Sequence, residues 1–355
     1  MKIIADENLA YTDYFFADLA EIEHKAGRQL THQDVQDADA LLVRSVTQVN
    51  AALIQQTALQ FIGSATIGTD HLDIPAIEQQ DITWSNAAGC NAQAVSEYVI
   101  TALLHLKPEL LHANHDFKLG IIGLGNVGSR LVKMAQLLGW DVIAYDPFVQ
   151  LPNVQQSDLN AVLQQADAIS IHVPLTETGE HPTYHLINAA RLACMKPQAM
   201  LINSARGPVV EEAALMQDIQ RTQRLVVLDV FENEPEISAE LLDLLALATP
   251  HIAGYSLEGK ARGTQMIYQA FCEKFGLEAT KQFETQLLSC KQYFQTHDLK
   301  NSLHAHLNQI YDIAQDDANL RACVKAGKVE QQAFDHLRKT YPLRREWAAH
   351  GGPQA

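Results

Sequence analysis

The chain has 355 residues, 47% of them hydrophobic, which is enough for two or three domains, each with its own core. Lys and Arg number 26 against 42 Asp and Glu, a formal net charge of -16, so no broad basic field is offered to nucleic acid or to an anionic membrane, and an anionic substrate requires a locally built basic pocket. The five cysteines, Cys90, Cys194, Cys272, Cys290 and Cys323, form no CxxC pair and no regular spacing, which argues against a zinc site or a disulfide framework and fits reduced thiols in a cytoplasm.

The first residues, MKIIADENLA, lack the apolar core and cleavage pattern of a signal peptide and read as a strand. No apolar run approaches the ~18 to 20 residues that cross a bilayer. The short apolar runs KIIA, DALLVRS, FIGSA and ITWSN then alternate with helical segments near residues 50–57 and 71–79, the pattern of a parallel α/β sheet. A long helical pattern over 92–105 leads to a second series of strands, LGIIG, DVIAYD, AISIHV, AMLIN, VVLDV and LALAT, again with helices between them. Beyond Gly259 the periodicity predicts a helix over 261–275, a polar stretch over 284–301, helices over 303–314 and 329–341, and a fraying end, HGGPQA.

Gly123-Leu-Gly125-Asn126-Val127-Gly128 follows the strand LGII and opens a helix, the setting that the GxGxxG dinucleotide fingerprint requires. Gly123 permits a tight turn, Gly125 lets the backbone approach a pyrophosphate, and Gly128 lets helix and strand pack closely. The helix start supplies N–H groups and a positive dipole end. Eighteen residues after Gly128, Asp146 ends the next strand, where a carboxylate can bind the adenosine ribose hydroxyls and repel the extra phosphate of NADP. NAD is therefore the expected cofactor.

Three ionisable residues lie just past three successive strands: Arg206, Glu234 and His251. The carboxyl ends of neighbouring parallel strands border one crevice, so residues distant in sequence can converge on one ligand there. Oxidation of a 2-hydroxy acid needs a base for the hydroxyl proton, and histidine is the side chain poised for that near neutral pH. A carboxylate such as Glu234 would orient the imidazole and stabilise its protonated form. The planar fork of Arg206 would hold the substrate carboxylate and polarise the C2 oxygen. Singly, each is an ordinary loop residue; together, downstream of a dinucleotide turn, they read as a catalytic set.

The ordered series GIIGLGNVG, YDP, HVPLT, LINSARG, LDVFENEP and PHIAG resembles the D-isomer-specific 2-hydroxyacid dehydrogenases, over most of the chain up to about Lys260. The resemblance implies that Arg206, Glu234 and His251 are catalytic, with His251 as acid/base, and that Asp146, Val173, Ser204, Ala205, Arg206, Asp229 and Gly254 contact the cofactor. The finer motifs DENLAYTDYFF, LLVRSVTQVN, FIGSATIGTDHLD, WSNAAGCNAQAVSEYV and HIAGYSLEGKARGT resemble a branch of that family acting on a small phosphorylated 2-hydroxy acid. That branch implies oxidation of 4-phosphoerythronate in vitamin B6 synthesis, with Ser45, Thr66 and Tyr255 as substrate contacts. Arg44 is the nearest plausible phosphate cation, ahead of Lys260 and Arg262.

The fold implied is two Rossmann-like or flavodoxin-like parallel-sheet domains with a cleft between them: residues 1–92 with 254–278 for substrate and 93–253 for NAD. A small α+β C-terminal domain, 279–355, resembles a dimerisation region, so a homodimer is expected. Two other readings stay open on sequence: a dehydrogenase of 3-phosphoglycerate or hydroxypyruvate, and a non-catalytic NAD-sensing protein.

Overall fold

A computed structural model describes residues 1–295 and 298–354; residues 296 and 297 of the expected polar stretch, and the last residue of the expected fraying end, lie outside the described residues. The chain forms two compact units, Met1–Asn91 with Ser256–Ser289, and Ala92–Tyr255 with Cys290–Ala355.

The first unit is built on five parallel strands, β1 (Lys2–Asp6), β2 (Glu21–Lys25), β3 (Ala40–Val43), β4 (Phe61–Ser64) and β5 (Thr83–Asn86), in the order β2-β1-β3-β4-β5. Successive side chains of a strand point to opposite faces, and here both faces are apolar. Ile3, Ala5, Ala40 and Leu42 therefore enter one core, with Phe15, Phe16, Tyr268 and Phe271. Ile4, Leu41, Val43 and Ile62 enter the other, with Val35, Leu53 and Ile77. The helix Leu257–Phe275 supplies much of the first core; it starts where the Ser256 side chain accepts the Gly259 N–H and ends at Gly276 with φ 66°. Four strands were expected in this sheet. The fifth, β2, carries the sequence EIEHK, half exposed at the sheet edge, so it lacks the apolar run that marks a buried strand.

The second unit holds seven parallel strands, β6 (Lys118–Ile122), β7 (Asp141–Tyr145), β8 (Gln155–Gln156), β9 (Ala168–Ile171), β10 (Met200–Asn203), β11 (Val226–Leu228) and β12 (Leu247–Ala248), in the order β12-β11-β10-β9-β6-β7-β8. The order reverses between β6 and β9, and the carboxyl ends beside such a switch point form the ligand crevice of doubly wound sheets. The same alternation builds its two cores: Leu119, Ile121 and Ile202 face one, and Ile122, Leu201 and Leu228 face the other.

Residues 290–355 pack within this second unit and add an antiparallel hairpin, β13 (Val324–Lys325) and β14 (Lys328–Val329), and the helices Leu299–Ile310, Ile313–Arg321 and Gln331–Lys339. The single helix expected over 303–314 is two helices. Asp312 is the N-cap of the second, its side chain accepting the Gln315 N–H at 3.2 Å, and the chain extends at Tyr311 to make the break. No helix among the described residues is long and apolar enough to cross a membrane.

Candidate active site

The glycine turn sits at the end of β6, beside the switch point. Gly123 has φ 94°, and a Cβ there would lie 2.5 Å from the carbonyl oxygen of His172, so its neighbour across the switch point forbids a side chain. A Cβ on Gly128 would fall 1.9 Å from the Gly123 oxygen, which fixes the close approach of helix and turn. Gly125 differs: a Cβ there would meet no atom within 4 Å, so internal packing does not demand glycine. Gly125 is also the N-cap of the helix Asn126–Leu137 and makes no side-chain cap, leaving the first N–H groups, from Asn126 onward, without a capping side chain. These features fit a dinucleotide pyrophosphate.

Asp146 has two jobs in this turn. Its Oδ1 accepts the N–H groups of Phe148 and Val149 at 2.8 and 2.9 Å, closing its own loop, and its Oδ2 accepts the Leu124 N–H at 2.7 Å, tying that loop to the glycines. Val173 flanks Gly123, its Cγ1 lying 3.0 Å from where a Gly123 Cβ would stand. Burial lowers His172 to about 3, so this imidazole is neutral near pH 7, and its Nε2 lies 2.8 Å from the Ser170 hydroxyl.

Arg206, Glu234 and His251 are joined through a short chain of contacts. The Asn203 side chain holds the loop after β10, accepting the Ala205 N–H at 3.1 Å and donating to the Arg206 oxygen at 2.9 Å. A Cβ on the next residue, Gly207, would lie 1.8 Å from the Phe231 oxygen, so the arginine loop is pressed on the loop after β11. There Glu234 accepts the Phe231 N–H at 2.9 Å with Oε1 and meets His251 Nδ1 at 2.9 Å with Oε2. Burial alone would raise the Glu234 carboxyl, but the charge and hydrogen bond of His251, the Phe231 N–H and the charge of Arg338 outweigh it and hold Glu234 below the ordinary carboxylate range. With Nδ1 engaged by the carboxylate, Nε2 of the part-exposed imidazole is the nitrogen left for a substrate proton. Ser204 carries a buried hydroxyl oxygen with no hydrogen-bond partner among the described residues, beside Ala205 and Arg206.

Asp229 has a role that sequence reasoning missed. Its carboxylate is buried and accepts from the Thr249 hydroxyl at 2.7 Å and from the Ile252 and Ala253 N–H groups at 2.8 and 3.0 Å. It thereby grips the backbone that follows His251, a residue held at φ 56°, a strained conformation for a side chain other than glycine. Burial raises the Asp229 carboxyl, opposed by the charge of His251 and by these hydrogen bonds. The carbonyl side of the same backbone is gripped by Arg344, which donates to the oxygens of Ile252 at 3.1 Å, Tyr255 at 3.3 Å, Ala94 at 3.2 Å and Ala253, with its guanidinium 4.3 Å from the Tyr311 ring centroid. Gly254 lies inside this clamped segment, and Tyr255 closes it, its ring 5.9 Å from that of Tyr341. No local pattern announces Arg344, since its acceptors are about 90 or 250 residues away.

The remaining candidates belong to the first unit. Arg44 and Ser45 follow β3, and Thr66 follows β4. Arg44 is paired: its Nε donates to Oδ1 of the fully buried Asp6 at 3.0 Å. Ser45 is exposed. The Thr66 hydroxyl lies 2.8 Å from that of Ser64, which also reaches His71 Nε2 at 2.9 Å, and burial pushes His71 below its ordinary value despite the nearby charge of Asp70. Arg262 donates to the Cys90 oxygen at 2.5 Å and stands over the Phe283 ring, which removes it as a ready phosphate ligand.

Residues 103–253 match the family model of the D-isomer specific 2-hydroxyacid dehydrogenase NAD binding domain, and residues 283–350 match a domain of unknown function, DUF3410. The chain is 72% identical over 355 residues, all of both chains, to the erythronate-4-phosphate dehydrogenase of Acinetobacter baumannii strain AYE. It is 45% identical to the enzyme of the same name from Psychrobacter cryohalolentis, over 98% of this chain and 97% of the other. Among solved structures, the D-lactate dehydrogenase of Aquifex aeolicus, complexed with NAD and lactic acid, shares the fold with a TM-score of 0.64 at 23% identity, over 78% of this chain and 96% of its own.

Proposed function

Because the chain belongs to the D-isomer specific 2-hydroxyacid dehydrogenases, and within them to the erythronate-4-phosphate dehydrogenases, we infer that it oxidises 4-phospho-D-erythronate to the 2-oxo acid with NAD, a step of pyridoxal 5'-phosphate biosynthesis. The observation that carries the substrate is 72% identity over the whole length of both chains.

NAD, when bound, supplies the hydride acceptor. The residues of this chain do the rest. The turn Gly123 to Gly128 presents backbone N–H groups to the pyrophosphate, Asp146 takes the adenosine ribose, and Val173, Ser204, Ala205, Asp229 and Gly254 complete the cofactor's surroundings. Arg206 holds the substrate carboxylate and the C2 oxygen. As the C2–H bond breaks and its electron pair leaves as hydride, the C2 O–H bond also breaks, its electrons form the carbonyl, and the proton passes to His251 Nε2. The imidazolium so formed is stabilised by Glu234, 2.9 Å from Nδ1. Ser45, Thr66, Arg44 and Tyr255 are the substrate contacts we assign beyond C2. Family resemblance further supports a homodimer joined through the C-terminal region, acting in the cytoplasm; sedimentation of the full chain at the mass of one copy would refute the dimer.

The test of the activity is NADH appearance with 4-phosphoerythronate against 3-phosphoglycerate at equal concentration. A clear preference for 4-phosphoerythronate is expected, and preference for 3-phosphoglycerate overturns the substrate.

A further inference from the structure

The substrate carries anions at both ends, a carboxylate on C1 and a phosphate on C4, and only the first has an unambiguous cation, Arg206. A phosphate bears roughly 1.5 to 2 negative charges at neutral pH, and arginine matches its geometry. Most guanidiniums here are already taken up by protein acceptors: Arg44 by Asp6, Arg224 by Asp218, Arg262 by a carbonyl and Arg344 by four carbonyls. Arg44 in particular faces a carboxylate that cancels its charge.

Arg338 is different. It lies in the last turn of the helix Gln331–Lys339, half buried, and its Nε is shielded from solvent without a hydrogen-bond partner among the described residues. Its guanidinium stands 6.0 Å from the ring centroid of Tyr255 and 5.8 Å from that of Phe334. The aromatic rings lie against the guanidinium and leave its Nε, an N–H that can bind an oxyanion, without a protein acceptor among the described residues. The charge also reaches Glu234, the partner of His251. A shielded guanidinium donor with no acceptor is unfavourable in the free protein unless an anion completes it.

We propose that Arg338 receives the C4 phosphate of the substrate, so that the C-terminal helix Gln331–Lys339 is a specificity element of the active site. The proposal rests on the substrate reading above, and the two fail separately: wild-type turnover of 4-phosphoerythronate tests that reading, and the behaviour of Arg338→Gln tests this one. It also gives the region matched only as a domain of unknown function a part in substrate selection.

The experiment compares wild type and Arg338→Gln by the KM for 4-phosphoerythronate and by the competitive inhibition constant of unphosphorylated D-erythronate, with NADH binding and thermal melting as controls. Loss of a charge-assisted contact raises the KM by on the order of tenfold to a hundredfold, while the D-erythronate constant stays within about twofold. Arg338→Lys, which keeps the charge but loses the fork, falls between, and it carries the test if the glutamine variant does not fold. A parallel rise in both constants assigns Arg338 to the carboxylate end, and an unchanged KM with a reduced kcat reduces it to a charge beside Glu234; either result overturns the proposal.

Discussion

In the first sheet β1 ends in a carboxylate, Asp6, whereas in the second β6 ends in Ile122 and is followed by Gly123 and Gly125. The Asp6 carboxylate turns back on its own loop, accepting the Asn8 N–H at 2.8 Å and pairing with Arg44, and the helix that follows is five residues long behind a left-handed Tyr11. The glycine turn instead opens a helix of 12 residues with no side-chain cap. Both sheets are parallel and switch strand order beside that turn, so topology offers a crevice in each. The chemistry of one turn separates the two: a carboxylate that accepts from its own loop and from Arg44 closes the first, its Oδ2 buried without a hydrogen-bond partner among the described residues, and bare backbone donors open the second to the dinucleotide, so that on the proposed function the first sheet is left to recognise substrate through hydroxyls.

Separating the two sheets kinetically is the sharpest way to break that division. His251→Asn removes the proposed proton acceptor while keeping a polar side chain, so kcat should fall by about 10² to 10⁴ while NADH binding, followed by its fluorescence, changes little. An equal loss of NADH affinity would mean that His251 shapes the dinucleotide site and that chemistry and cofactor binding are not distinct. Arg344→Met should also lower kcat, by less, because the backbone after His251 would keep only the Asp229 half of its grip; unchanged kcat at unchanged stability would remove Arg344 from the positioning of the base.

The glycine turn gives the next largest effect, and two substitutions within it separate its folding role from its binding role. Gly128→Ala sets a Cβ 1.9 Å from a backbone oxygen, which costs about 1 to 3 kcal/mol and lowers the melting temperature. Gly125→Ala meets no atom within 4 Å, so melting of the free protein should hold while NAD affinity falls. Equal NAD affinity in Gly125→Ala and wild type would show that the turn binds nothing at that point. In the first sheet, Ser45→Ala and Thr66→Ala should each raise the KM for 4-phosphoerythronate by about two- to tenfold, the range of a neutral hydrogen bond, and leave kcat nearly alone. A kcat effect there would blur the contrast.

Both sheets and their order of elements were readable because buried parallel strands are short apolar runs bounded by turns, and KIIA, LGII and AMLIN have no helical alternative of that length. β2 and β8 escaped for the converse reason: EIEHK and the pair Gln155–Gln156 lie at sheet edges, where hydrogen bonding to one neighbour needs no apolar side chains. At the site, Arg206, Glu234 and His251 follow strands at equivalent positions, so the contact of Glu234 with His251 and the packing of the arginine loop on the loop after β11 are consequences of topology. The use of Asp229 and Arg344 to clamp the segment after His251, and the lack of an acceptor for Arg338 Nε among the described residues, depend on the arrangement of distant parts of the chain and leave no local pattern. Arg44 shows the same limit in reverse. Its position past β3 suggested a free cation, and only coordinates reveal Asp6 beside it.

The smallest expected effect is a displacement along the pH axis, and its sign follows from Glu234. Its carboxyl is held below the ordinary value of about 4.3 because His251, Phe231 and Arg338 together outweigh burial. A carboxyl lowered in the folded protein contributes stability that is fully present above its unfolded value and is lost as pH falls through its folded value. Wild type should therefore exceed Glu234→Gln in urea resistance near pH 7, with the gap closing as pH falls below about 4. The first sheet supplies the control: Thr66→Ala touches the Ser64 and His71 network but not Glu234, and should keep the wild-type dependence of urea resistance on pH over this range. A gap between wild type and Glu234→Gln that stays constant as pH falls through this range would take the Glu234 charge out of the pairing with His251.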